Sequence, residues 1–275
     1  MSGVCLLTGA TGFVGQHILN ALDHHRVPCR VVTRPGKEEF FRQFSNIESI
    51  INTDDLFAES FSFMKTACAK VHAVIHAAWY VDPTDYLQSA MNIDCLRGTL
   101  LLAQACSAAR VKRFIGLGTC FEYDLSGGYL SIETPLKPDS IYAAAKASAF
   151  MSLSEYFQIE KVEFVWARLF YLFGEGEKAQ RLVPAIRSRL QIGEKVELTS
   201  GEQLRDFLDV VVAGRKIAEL VTGSTCGPLN ICSGIGITVR ALAEKIADEY
   251  GRRDLLAFGA RPQNLVDPPC VVGII

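Results

Sequence analysis

A glycine-rich segment directly after the first apolar run is the feature that most restricts the fold. Residues 4–7 are apolar and lead into the stretch TGATGFVG at 8–15, which a helical pattern over 13–22 continues. Glycines spaced GxxGxxG let the backbone turn sharply and approach a pyrophosphate, while the helix start offers free N–H donors. A turn placed between a strand and a helix therefore predicts dinucleotide binding. The residues predicted to form this site are Gly9, Thr11, Gly12, Phe13, Val14 and Gly15.

Short apolar runs alternate with longer helical patterns through the first half of the chain. The predicted strands are 4–7, 30–33, 73–76, 114–117 and 162–167, and the predicted helices are 13–22, 85–109 and 140–157. Strand followed by helix, repeated, indicates βαβ units, and unbroken apolar strands are typical of parallel sheets buried on both faces. The predicted fold class is α/β, with a Rossmann-type doubly wound parallel sheet.

After Arg168, glycine and proline become frequent and the spacing of elements becomes irregular. Two further helices are predicted at 210–221 and 239–250, with a strand at 229–232 between them. We expect residues 1–170 to form the dinucleotide-binding domain and residues 171–275 to form a smaller, discontinuous region. Part of that region, about 205–225, is expected to return to the first domain.

Charge and cysteine content exclude several classes of protein. The chain has 28 basic and 30 acidic residues and a net charge of −2, which argues against nucleic-acid binding. No apolar run approaches the roughly 18 residues that cross a bilayer, and no signal peptide is predicted. Nine scattered cysteines, with no CxxC spacing, favour a reducing compartment and a cytoplasmic protein. No metal site is predicted.

Arg34 stands at the end of the second predicted strand, where an NAD-selective site usually has an acid. A guanidinium suits a 2′-phosphate because its planar fork can bind two phosphate oxygens. NADP(H) is therefore favoured over NAD(H).

A tyrosine and a lysine, Tyr142 and Lys146, are four residues apart on a predicted helix, so both lie on one face. A nearby ammonium is expected to lower the pKa of the phenol from about 10 toward the working range, which suits proton exchange with a carbonyl. Thr119 closes the strand that begins at Phe114, and its hydroxyl is expected to bond the same substrate oxygen. Carboxyl ends of strands are where ligands bind in open α/β sheets.

A series of short motifs extends from one end of the chain to the other. They are TGATGFVG at 8–15, Asp55-Leu56, HAA at 76–78, Asn92, Thr119 with YxxxK, ETPLKP at 133–138, ARLF at 167–170, RLVP at 181–184, RDF at 205–207 and GPLNI at 227–231. With these motifs the chain resembles an extended short-chain dehydrogenase/reductase of the NAD-dependent epimerase/dehydratase group.

The resemblance implies roles for matching positions. It implies that Asp55 and Leu56 contact the adenine, that Ala77 and Ala78 line the cofactor groove, and that Phe170 lies near the nicotinamide carboxamide. Tyr142 is implied to be the acid/base and Lys146 to hold the nicotinamide ribose.

The substrate side is implied to lie mainly in residues 171–275. Arg205 and Arg261 match positions that hold a nucleotide-sugar diphosphate, and Arg181 is implied to contact substrate. Trp79 either faces the substrate or is a core aromatic. Glu122 is expected to be a solvated loop acid, with contact to the substrate pocket as the alternative.

Departures from the family pattern restrict the activity. Cys120 and Phe121 follow Thr119 where the group's 4,6-dehydratases carry Asp-Glu, and Tyr171 replaces an Asn that is frequent in epimerases. The stretch 119–123 and Trp79-Tyr80 are similar to the nucleotide-deoxysugar 4-ketoreductase branch. The expected activity is NADP(H)-dependent reduction of the 4-keto group of a nucleotide-linked 6-deoxyhexose.

Two alternatives are a nucleotide-sugar 4-epimerase with retained NAD and a non-catalytic dinucleotide sensor. The resemblance also implies a homodimer, paired through the helices predicted at 85–109 and 140–157.

Overall fold

The computed structural model describes residues 3–262 and 267–275. The strands in these ranges are β1 (Val4–Thr8), β2 (Cys29–Thr33), β3 (Ile47–Asn52), β4 (Val71–His76), β5 (Arg113–Thr119), β6 (Tyr129–Leu130), β7 (Glu163–Leu169), β8 (Tyr171–Phe173), β9 (Val196–Leu198), β10 (Leu204–Asp209), β11 (Gly227–Ile231), β12 (Gly236–Thr238), β13 (Leu256–Phe258) and β14 (Cys270–Gly273). The α-helices are α1 (Phe13–His24), α2 (Phe61–Ala67), α3 (Met91–Ala108), α4 (Ile141–Glu160), α5 (Leu182–Gln191), α6 (Val210–Glu219) and α7 (Val239–Glu249).

Seven strands form one parallel sheet in the order β11-β7-β5-β4-β1-β2-β3. One face is covered by α1 and α6, whose Ile18 and Ile217 share a core with the sheet residue Ile75. The other face is covered by α2, α3 and α4, where Leu102 and Leu153 pack around Phe114. The predicted α/β, doubly wound parallel sheet is confirmed. Its strand order reverses between β1 and β4, which is where such sheets bind ligands.

The helix predicted at 85–109 begins six residues later than expected, at Met91. Asp82 accepts hydrogen bonds from the backbone N–H and hydroxyl of Thr84, and this local turn competes with a helix. The Asn92 side chain then donates to the carbonyls of Tyr86 and Ser89. The segment before α3 is therefore a turn whose polar groups are satisfied without helix.

The chain beyond β7 contributes to both the large sheet and a smaller layer. Helix α6 packs closely on α1, since a Cβ at Gly214 would come within 2.6 Å of the His17 backbone. Strand β11 pairs with β7 at the edge of the large sheet. The remaining part forms, together with β6, a five-stranded sheet around β10, a two-stranded sheet of β9 and β13, and a core between α5 and α7 that includes Ile186 and Ile246. The division into domains at residue 170 stays a prediction.

No helix in the two described ranges is both long and apolar enough to span a membrane. The same ranges hold no group of three or more side chains of the kinds that bind a metal ion.

Candidate active site

The glycine turn lies between β1 and α1 and touches the end of β4. Gly9 has a φ of +73°, and a Cβ there would approach the Ala78 backbone nitrogen to 2.7 Å. A Cβ at Gly15 would overlap the Gly9 carbonyl. Helix α1 begins after Gly12 with no side-chain cap, and Thr11 and Gly12 are exposed. An open helix N-terminus in a turn without side chains fits a pyrophosphate.

The predicted adenosine side of the groove lies at the ends of β2 and β3. Arg34 is exposed immediately after β2, while the hydroxyl of its neighbour Thr33 is buried without a hydrogen-bond partner among the described residues. Asp55 is exposed and accepts the backbone N–H of Phe57 at 2.9 Å, and Leu56 is half-buried. The polar groups here could bind a ribose or its phosphate.

Thr119, Tyr142 and Lys146 are brought together at the carboxyl end of the sheet. Thr119 is the last residue of β5, and α4 starts after Ser140, whose hydroxyl accepts the backbone N–H of Ala143. Tyr142 and Lys146 are about one turn of this helix apart and therefore lie on one face. The Thr119 hydroxyl is near enough to the Tyr142 phenol to lower its pKa. The arrangement can move a proton at the phenolic oxygen.

The pKa of Tyr142 is shifted in the direction opposite to the one expected from the sequence. Burial raises the pKa of Tyr142 above its usual value, Tyr86 adds to the increase, and the Thr119 hydroxyl opposes it. Lys146 is not among the groups that shift this pKa, and its Nζ donates to the Leu117 carbonyl at 2.6 Å. Burial also lowers the pKa of Lys146 to about 7, against opposing effects of Glu122 and Cys95.

Trp79 contacts the predicted catalytic residues directly. The Lys146 Nζ lies 3.7 Å from the centre of its ring, and the ring meets Tyr142 edge-on at 6.5 Å. Its indole N–H donates to the Asn92 side-chain oxygen at 2.8 Å. Tyr86, which the sequence did not single out, packs against Tyr142 with ring centres 5.0 Å apart.

The expectation that Glu122 is a solvated loop acid is wrong. Its side chain is fully buried and forms an ion pair with Arg168, with Oε2 2.7 Å from Nε. It also accepts the indole N–H of Trp166 and the backbone N–H of Thr119. Two opposite charges within apolar segments were the available signal, since such charges are rarely buried unless paired.

The residues predicted on the substrate side occupy different surroundings. Arg181 is exposed at the start of α5, and Arg261 is exposed with its backbone N–H bonded to Leu198. Arg205 has a side chain only 4% exposed, 2.6 Å from Asp267. A diphosphate that binds Arg205 would therefore have to compete with Asp267. Phe170 is buried in a cluster with Cys120 and Tyr171. The centre of the Tyr171 ring lies 5.3 Å from the guanidinium carbon of Arg205.

Curated relatives that cover most of the chain act on nucleotide sugars. The CDP-abequose synthase of Salmonella muenchen is 28% identical over 271 residues, covering 93% of this chain and 83% of that protein. The dTDP-6-deoxy-L-talose 4-dehydrogenase (NAD(+)) of Aggregatibacter actinomycetemcomitans is 22% identical over 272 residues and 98% of each chain.

Solved structures agree in fold. The UDP-N-acetylglucosamine 4-epimerase of Methanobrevibacter ruminantium, in complex with UDP-N-acetylmuramic acid, has a TM-score of 0.87 at 20% identity. The match covers 100% of this chain and 90% of that one. The sequence model of one family matches residues 5–214. The resemblance of the motifs is thus confirmed, and the chain belongs to the NAD dependent epimerase/dehydratase family of extended short-chain dehydrogenases/reductases.

Proposed function

We propose that the protein reduces the 4-keto group of a nucleotide-linked 6-deoxyhexose with NADPH. The observation that carries this proposal is the acid/base set at the end of β5. The Thr119 hydroxyl lies beside the Tyr142 phenol, and the two positions after Thr119 are Cys120 and Phe121. A thiol whose pKa burial raises to about 12 and a phenyl ring cannot perform the proton transfers of an elimination.

The chain's own residues suit the reductive direction. The bound nicotinamide would supply the hydride. The phenol of Tyr142 would donate its proton to the carbonyl oxygen, and its raised pKa keeps it protonated beforehand. Thr119 would hold the same oxygen, and Lys146 would bond the ribose.

The proposed cofactor site uses the glycine turn, Arg34, Asp55, Ala77 and Ala78. Preference for NADP(H) rests on the exposed guanidinium of Arg34 at the end of β2 and on the buried hydroxyl of Thr33 beside it. The name of the talose relative specifies NAD(+), so the preference needs direct measurement.

Relatives support the proposed substrate class. Their names refer to a CDP-linked and a dTDP-linked sugar, and one specifies position 4 of a 6-deoxyhexose. Arg181, Arg205 and Arg261 are proposed to bind the diphosphate, which offers several oxygens to guanidinium groups.

A homodimer in the cytosol is part of the same proposal. Exposed apolar side chains on α3 and α4 support the dimer: Met91, Ile93 and Met151 are 41%, 57% and 53% exposed. The scattered cysteines support a reducing compartment.

The second candidate is a 4-epimerase with retained NAD. The fold favours it no less, because several similar structures are named UDP-glucose 4-epimerases. Tyr171, where epimerases often have Asn, favours the reductase. A sensor without catalysis is disfavoured by the presence of Thr119, Tyr142 and Lys146 together.

The proposal is tested by following NADPH oxidation with a panel of nucleotide-linked 4-keto-6-deoxyhexoses. We expect at least one to consume NADPH with the wild-type protein, and about 10²–10⁴-fold more slowly with Tyr142→Phe. No consumption with any of them, by protein that binds NADPH, would contradict the proposal.

A further inference from the structure

A fully buried ion pair lies immediately behind Thr119. The side chains of Glu122 and Arg168 are 0% and 1% exposed. Both Glu122 oxygens also accept the Trp166 indole N–H, at 3.0 and 3.1 Å. The space for these groups exists because position 118 is glycine, where a Cβ would overlap both Trp166 and Glu122. The proposed reduction uses none of these groups.

One contact of this ion pair reaches the catalytic strand. Glu122 Oε1 accepts the backbone N–H of Thr119 at 2.8 Å, at the point where β5 ends. The hydroxyl of Thr119 accepts the backbone N–H of Phe121 at 3.3 Å and is near enough to the Tyr142 phenol to lower its pKa. The Glu122 carboxylate therefore fixes the backbone of Thr119, and the side chain of Thr119 lies beside the acid/base Tyr142.

Stability gives no sufficient reason for a buried pair at this place. Removing two ions from water often costs as much as their attraction returns, and well-packed apolar residues can replace such pairs without loss. An apolar side chain could not, however, accept the Thr119 N–H, which would then be buried without a partner.

We infer that Glu122 is a positioning residue, which holds the Thr119 backbone so that the Thr119 hydroxyl stays beside the Tyr142 phenol. Arg168 orients the Glu122 side chain, because its Nε donates to Glu122 Oε2 at 2.7 Å. The consequence for catalysis rests on the proposed function, whereas the effect on the Thr119–Tyr142 contact can be measured without any substrate.

Two double variants separate positioning from folding. Glu122→Met/Arg168→Met removes both charges and every acceptor for the Thr119 N–H. Glu122→Gln/Arg168→Met also removes both charges but keeps an amide oxygen that can accept it. Neither leaves an unpaired buried charge, which would strongly destabilise the protein. Glu163→Gln is the control at the other end of β5: Glu163 is 57% exposed, and its partner Arg113 keeps the backbone carbonyls of Gly223 and Thr225 as acceptors.

The readout is the Tyr142 signal in NMR spectra of protein labelled with ¹³C at the tyrosine Cζ. Tyr142→Phe assigns the signal, and Thr119→Ala gives its position without the hydroxyl contact. We expect Glu122→Met/Arg168→Met to reproduce the Thr119→Ala position, and Glu122→Gln/Arg168→Met to keep the wild-type position. Adding Thr119→Ala to the methionine variant should cause no further shift.

An unmoved Tyr142 signal in the methionine variant would overturn the inference. So would an equal shift in the glutamine variant, or a methionine variant that fails to fold beside a folded glutamine variant.

Activity gives the second readout. The methionine variant should lose about 10- to 100-fold in kcat, since small displacements in an active site have effects of this size. The affinity of the methionine variant for NADPH should not change. The kcat of the glutamine variant should stay within about threefold of the wild-type value, and the kcat of Glu163→Gln should equal the wild-type value. A wild-type protein without reductase activity would contradict the proposed function, while the NMR result would still decide the role of Glu122.

Discussion

Replacing Lys146 by methionine should stabilise the protein without cofactor at pH 6 and have a much smaller effect at pH 10. The lysine is 5% exposed, and burial lowers its pKa from 10.5 to about 7. Below pH 7 the ammonium is charged in the folded and the unfolded state, so the full cost of burying it is present. Between pH 7 and 10.5 only the unfolded chain keeps the proton, so the cost falls as the pH rises.

The size of the effect follows from the pKa and the contacts of the ammonium. A shift of this size corresponds to about 5 kcal/mol at 1.36 kcal/mol per pKa unit. The Trp79 ring, 3.7 Å from Nζ, favours the charged form and offsets about 0.5–2 kcal/mol. We expect the stabilisation by Lys146→Met to be about 3 kcal/mol larger at pH 6 than at pH 10.

Urea unfolding of both proteins at pH 6, 8 and 10, followed by circular dichroism, measures this difference. Lys245→Met is the control, because Lys245 is exposed on α7 and its replacement should have the same small effect at each pH. A stabilisation by Lys146→Met that does not change with pH, or that is larger at pH 10, would refute the reasoning.

Three further predictions concern single side chains. Tyr142→Phe should lower kcat by about 10²–10⁴-fold while NADPH binding, measured by fluorescence titration, stays nearly unchanged; unchanged turnover would contradict the acid/base role. Arg34→Asp should weaken NADPH binding by about 1.5–3 kcal/mol and leave NADH binding equal or tighter, and the proposed preference fails if the wild type already binds NADH more tightly. Trp79→Phe keeps a ring beneath Lys146 but leaves the buried Asn92 oxygen without its donor. It should lower the free energy of unfolding in urea by about 1–3 kcal/mol, and equal stability would contradict the importance of that bond.

The strands of the large sheet could be predicted from the sequence because each is a short apolar run, and such runs are the segments that the fold buries. The strand predicted at 114–117 is extended in the structure to Arg113–Thr119. Arg113 belongs to this strand because it pairs with residues of β4 and β7. Its charge is tolerated there because the guanidinium donates to the backbone carbonyls of Gly223 and Thr225. The start of helix α3 at Met91 was not predicted, because it depends on side-chain hydrogen bonds of Asp82 and Asn92. The periodicity of apolar residues carries no information about such bonds.

The directions of the pKa shifts in the site could not be predicted from the spacing of its residues in the sequence. Tyr142 and Lys146 share a helix face, as predicted, but the direction of the ammonium decides what its charge does. It points to the Leu117 carbonyl and the Trp79 ring, and the effect of burial on the phenol then dominates. Glu122 and Arg168 are 46 residues apart in sequence, and only the pairing of β5 with β7 brings them together.

The most direct test of the proposed reduction is to follow the hydride. Incubation with a nucleotide-linked 4-keto-6-deoxyhexose and NADPH deuterated at C4, on the transferred face, should give one deuterium at C4 of the sugar and one NADP⁺ per product. An epimerase uses the ketone only as an intermediate and shows no net consumption of cofactor. Tightly bound NAD⁺ in the purified protein, with UDP-glucose and UDP-galactose interconverting without added cofactor, would contradict the account.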